Sequence, residues 1–99
     1  MPHPTTALSN ADIQQRLQRL PHWGFTGNAL ERIYDGPNYL ASVETLNQIA
    51  RLSEEADHHP DLTLNWKKLT IRYWTHTAQG VTDLDFKLAE QVESLLSGT

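Results

Sequence analysis

Residues 58–76 read HHPDLTLNWKKLTIRYWTH, and the fold turns on this run. Leu62, Leu64 and Trp66 alternate with Thr63 and Asn65; past Lys67-Lys68, Leu69, Ile71 and Tyr73 alternate with Thr70, Arg72, Trp74 and His76. A side-chain period of two puts each apolar set on one face of a strand, so the run predicts a β-hairpin packed beneath helices. Lys67-Lys68 is poor turn chemistry, because a type I′ turn wants positive φ at both central residues. His76 is expected to end the last strand, on the face opposite Leu69, Ile71 and Tyr73. Upstream, proline disfavours the α region for the residue before it, so a helix entering His58-His59-Pro60 should end at about Asp57 or His58.

Working outward, that helix spans about 38–57, with Tyr39, Val43, Leu46 and Ala50 on its apolar face beside Ile49. A first hairpin precedes it over 22–34: Trp23 and Phe25, a Gly27-Asn28 turn of type II′, then Leu30, Arg32 and Tyr34. Before that, Ser9 with Asp12 resembles a capping box opening a helix over 10–20, with Ile13, Leu17 and Leu20 at helical spacing and Pro21 ending it. Residues 1–8 are expected to be a flexible start with His3 a bystander, and 9–99 one domain. After His76 comes a short loop over 77–81, then Thr82 as N-cap with Asp85 at N3. A last helix follows over 83–97, striped by Leu84, Leu88, Val92 and Leu95. The order αββαββα implies an α+β fold: a four-stranded antiparallel sheet with three helices on one face.

Composition narrows the function. With 8 Lys+Arg against 12 Asp+Glu the net charge is −4, and no basic patch of the kind that binds nucleic acid is visible. The apolar share of 38% and mean hydropathy of −0.53 suit a soluble protein with no membrane partner. No basic, apolar leader opens the chain, so no secretory signal is expected. The absence of cysteine removes disulfides and thiolate catalysis, and makes a reducing cytoplasm the expected location.

Chemistry concentrates in His58, His59, His76 and Asp85, which this topology could bring to one rim of the sheet. Taken singly, each has a structural explanation: Asp85 as a capping residue, His76 as a solvent-facing strand end, the His-His pair as a solvated loop. Imidazole gives and takes protons near neutral pH, so jointly they could carry acid–base work. Zinc could also use three His and a carboxylate, but adjacent His58 and His59 would diverge from one ion, so no metal is expected.

The spacing Glu54, His58-His59-Pro60, Trp66, His76, Asp85 resembles the pterin-4a-carbinolamine dehydratase family, also known as the dimerisation cofactor of a liver homeodomain factor. Likeness continues through Leu20-Pro21-His22-Trp23 and the last helix, covering nearly the whole chain. The resemblance implies dehydration of a 4a-hydroxytetrahydropterin to quinonoid dihydropterin in tetrahydrobiopterin recycling, with no cofactor. It implies His58 and His76 as the acid–base pair and His59 positioning the pterin. Asp57, Thr75 and Thr77 would line the pocket, with Trp23 in its wall. Asp85 would orient His76 or another imidazole, with Glu54 also supporting. Thr77 stands where relatives often carry an acid, and Lys67 where an asparagine is common. The resemblance also implies a homodimer or homotetramer. A non-catalytic binding module of the same fold, a transcriptional coactivator or Rubisco assembly chaperone, is the alternative; the intact His-His pair argues against it.

Overall fold

The computed structural model describes residues 4–98, so the reading of His3 lies outside the described residues. The order is α1 (Asn10–Leu17), β1 (Trp23–Thr26), β2 (Ala29–Asp35), α2 (Tyr39–Glu55), β3 (Asp61–Asn65), β4 (Lys68–Tyr73) and α3 (Asp83–Ser97). This is the expected αββαββα arrangement. The sheet is antiparallel throughout, in the order β1-β2-β4-β3, so the two hairpins join through β2 and β4 at its centre. Leu30, Tyr34, Leu62, Leu64, Leu69, Ile71 and Tyr73 share the face under the helices. There they meet Ile13, Leu20, Ile49, Phe86, Leu88, Val92 and Leu96 in one core.

Several boundaries differ from the sequence expectation, each for a local reason. α1 stops at Leu17, three residues before Leu20, because the N–H groups of Gln18, Arg19 and Leu20 turn to carbonyls three residues back. Gly27 and Asn28 both take positive φ, 55° and 66°, which makes their turn type I′, not II′; its twist matches that of the strands. The second turn is Trp66-Lys67, not Lys67-Lys68, since Asn65 pairs with Lys68. The Lys67 carbonyl takes the Gly36 N–H at 3.0 Å and the Ser42 hydroxyl at 2.6 Å, which fixes the loop against the start of α2. His76 lies beyond β4, in a 3-10 turn over His76–Ala78.

The buried face of α2 is also rotated from the predicted stripe. Ser42, Thr45, Ile49 and Ser53 are buried, whereas Tyr39 and Ala50 are exposed. Short hydroxyl side chains let the helix sit close to the sheet. Thr45 and Ser53 satisfy themselves on the Ala41 and Ile49 carbonyls at 3.0 and 2.8 Å. On α3, Phe86, Ala89 and Leu96 join Leu88 and Val92 in the core, and the predicted Leu84 and Leu95 are half-buried.

Candidate active site

α2 delivers the His-His pair through its C-terminus. The Asp57 N–H bonds the Glu54 carbonyl and the His58 N–H bonds the Ser53 carbonyl, both at 3.1 Å, while Asp57 takes φ 53°. This is a Schellman turn with aspartate in the left-handed position that glycine usually holds. It stops the helix at Glu55, before Pro60 can. The turn sends the next two side chains apart. His58 swings inward and is 3% exposed; the His59 side chain stays 60% exposed, its Nε2 2.6 Å from Glu54 Oε1 one turn back on α2. An open groove of about 590 Å³ runs beside His59 along Ser53, Glu54, Pro60 and Leu62.

Asp85 receives His58. As predicted, Asp85 and Thr82 form a capping box, with Asp85 Oδ2 accepting the Thr82 N–H at 2.8 Å. The same oxygen accepts the Thr75 hydroxyl at 2.7 Å, and Oδ1 lies 2.5 Å from His58 Nε2. Both carboxylate oxygens are thus engaged, Oδ2 by Thr82 and Thr75 and Oδ1 by His58. Asp85 is 0% exposed, so its orientation is dictated by these partners. The imidazole that Asp85 orients is therefore His58 and not His76.

Tyr73 closes the other side of His58, its ring stacked at 6.0 Å and 17°, its hydroxyl 2.6 Å from Ser53 Oγ. Burial pushes that hydroxyl up to about 12, with the Asp85 charge adding to the shift and the Ser53 hydrogen bond opposing it. The ring stays neutral and polar-tipped inside the core.

His76 is exposed and stacked on Trp74, centroids 3.9 Å apart and planes at 23°. Trp74 Nε1 donates to Asp61 Oδ2 at 3.3 Å, and Asp61 follows directly on His59-Pro60. Thr75, between Trp74 and His76, ties to Asp85. The three imidazoles therefore gather at one end of the β3–β4 pair, His58 beneath and His59 and His76 outward. Thr77 turns to the N-terminal segment, its hydroxyl donating to the Pro4 carbonyl at 2.7 Å. Asp57 borders a second groove between α2 and α3. Trp23 lies in the core, its indole N–H on Glu93 at 2.9 Å and its ring 6.4 Å from Tyr73, the ring that stacks on His58. Among the described residues, no three His, Asp or Glu side chains converge as a metal's ligands would.

Tyr73, Trp74 and Asp61 lie at this site, although the sequence pattern put Tyr73 on the apolar face of a strand and Trp74 on the opposite face and did not single out Asp61. The available signal was alternation in sequence, which sets Trp74 in step with His76 and Tyr73 in step with Thr75.

The model of the family described as pterin 4 alpha carbinolamine dehydratase matches residues 6–95. The chain belongs to this family. A relative from Streptomyces avermitilis, provisionally named pterin-4-alpha-carbinolamine dehydratase, is 40% identical over 96 residues, covering 96% of this chain and 95% of its own. One of the same provisional name from Roseiflexus sp. is 36% identical over 91 residues, covering 92% and 98%. In fold the dehydratase-family chain is similar to a crystal structure from Brucella melitensis described as a transcriptional coactivator/pterin dehydratase. That likeness has a TM-score of 0.85 at 24% identity, over 91% of this chain and 98% of the other.

Proposed function

We propose that the protein eliminates water from a 4a-hydroxytetrahydropterin to give quinonoid dihydropterin, as a step of tetrahydrobiopterin recycling. The C4a–O bond breaks, the leaving hydroxyl takes a proton, and a ring N–H gives one up. An acid and a base on the two sides of the pterin suffice. The observation that carries the reading is the gathering of His58, His59 and His76 at one rim in a chain of this family. His58 and His76 are the proposed acid–base pair, His59 holds the pterin, and Asp57, Thr75, Thr77 and Trp23 contribute to its surroundings. Asp85 and Glu54 support the imidazoles.

One observation favours a second assignment of the pair. His58 is 3% exposed with Nε2 on Asp85, whereas His59 and His76 are open to solvent. In that case His59 and His76 exchange protons with substrate and His58 is the post behind them. Among the described residues β1 and β3 each leave one edge unpaired, which supports a homodimer or homotetramer. A cysteine-free chain suits the cytoplasm. None of the described helices is long and apolar enough to cross a membrane.

The deciding experiment follows quinonoid product by absorbance from chemically generated 4a-hydroxytetrahydropterin, for wild type and for His58→Ala, His59→Ala and His76→Ala singly. The proposal expects acceleration by wild type and the largest kcat losses at His58 and His76. Losses at His59 and His76 instead would select the second pair. A folded wild type no faster than buffer would remove the catalytic reading and leave the binding-module alternative, which pull-down of partners would address.

A further inference from the structure

The three imidazoles of the rim are held in two different ways. His58 Nε2 is taken by Asp85 and His59 Nε2 by Glu54, so each carboxylate occupies a ring nitrogen. Among the described residues His76 has no side-chain hydrogen bond and no ion pair; what holds it is the indole of Trp74, stacked at 3.9 Å. We propose that Trp74 is the positioning residue of His76, fixing its ring plane while leaving both imidazole nitrogens to the substrate. This rests on the dehydratase reading above and deepens it.

The physical argument concerns what a stack can do that a carboxylate cannot. An imidazole that passes a proton to one atom of a substrate and keeps a hydrogen bond to another needs both nitrogens. A carboxylate partner removes one of them. An offset ring stack instead restrains the plane and favours one rotamer through dispersion and quadrupole contacts. Exposed on a 3-10 turn, His76 would otherwise sample several rotamers. Trp74 is itself anchored, because its Nε1–H reaches Asp61 Oδ2 at 3.3 Å and Asp61 opens β3 directly after Pro60. The indole thus spans the rim, joining the His59 side to the His76 side.

The test uses two independent readouts on the full chain. In proton NMR, with the His76 resonances assigned by their loss in His76→Gln, the ring protons of wild type are expected upfield from the indole ring current. Trp74→Leu should abolish that displacement and Trp74→Phe should retain part of it. In the dehydration assay, Trp74→Leu should lower kcat roughly two- to tenfold, the weight a ring stack lends one rotamer, with KM changed less than about twofold. Trp74→Phe should recover most of the loss. No upfield displacement in wild type would overturn the held ring. An active wild type with a Trp74→Leu variant of equal kcat, or one altered in KM alone, would overturn the positioning role. A wild type inert toward the hydroxypterin would instead overturn the dehydratase reading, and the ring-current shift would still decide whether the indole holds His76.

Discussion

Asp85 serves two structures with one carboxylate, capping α3 through the Thr82 N–H and holding His58 through Nε2. Asp85→Asn keeps one acceptor oxygen but turns an N–H toward donors, so it should destabilise by roughly 2 kcal/mol and lower dehydration activity together. Urea unfolding and kcat check both; a variant as stable as wild type would contradict the shared role. Tyr73 adds a pH signature. Its hydroxyl is raised from 10.0 to about 12, so between these values the unfolded chain loses the proton first. Stability attributable to this group is full below about 10 and falls as pH rises toward 12, by up to roughly 2–3 kcal/mol, and Tyr73→Phe should flatten that limb of an alkaline unfolding series. Asp57 occupies a left-handed position at φ 53°. Asp57→Gly should therefore raise the unfolding free energy read from urea melts by about 1 kcal/mol or less. If Asp57 also contacts the pterin as proposed, KM rises in the same variant.

Elements here are positioned by what their short polar residues do. α2 packs through Ser42, Thr45 and Ser53, whose hydroxyls find carbonyls, and a hydrophobicity stripe cannot register them. The β3–β4 turn shifts one residue because the Lys67 carbonyl is claimed by Gly36 and Ser42, partners 25 residues and more away. That claim forces Trp66, 74% exposed, to φ 54°. Trp66→Gly is expected to stabilise the hairpin by about 0.5–1 kcal/mol, read as a rise in melting temperature, since glycine accepts that φ without a Cβ clash. A fall would show that the Trp66 ring, with Lys67 Nζ 5.3 Å from its centroid, contributes more than the strain removes.

Across the whole molecule, α3 is tied down at two points. Asp85 holds its first turn, and farther along Glu93 accepts from Arg32 on β2 at 3.0 Å and from Trp23 on β1 at 2.9 Å. Burial works against the Glu93 charge, but the Arg32 and Trp23 hydrogen bonds, with the Arg32 and His22 charges, hold its carboxyl below the ordinary 4.5. Just below that pH the unfolded chain binds the proton more readily than the native one. The stability is therefore present above 4.5 and lost as pH falls through the native value. Acid unfolding of Glu93→Gln should be less steep in this window than that of wild type; an identical slope would place the acid lability elsewhere.

The sequence by itself determined the elements and their order. Alternation at Leu69, Ile71 and Tyr73, the Gly27-Asn28 turn and the Thr82–Asp85 box are local signals, because periodicity and capping act over a few neighbouring residues. His58, His59 and His76 stood out as a set only through the family resemblance that the spacing from Glu54 to Asp85 carries, while Tyr73, Trp74 and Asp61 did not stand out at all. Only the tertiary structure decided the sheet order β1-β2-β4-β3, the turn at Trp66-Lys67 and the packing face of α2. It alone paired Asp85 with His58 and left His76 to Trp74. Those choices depend on which buried polar groups find partners across long stretches of chain, and such partners exist only once the layers have packed.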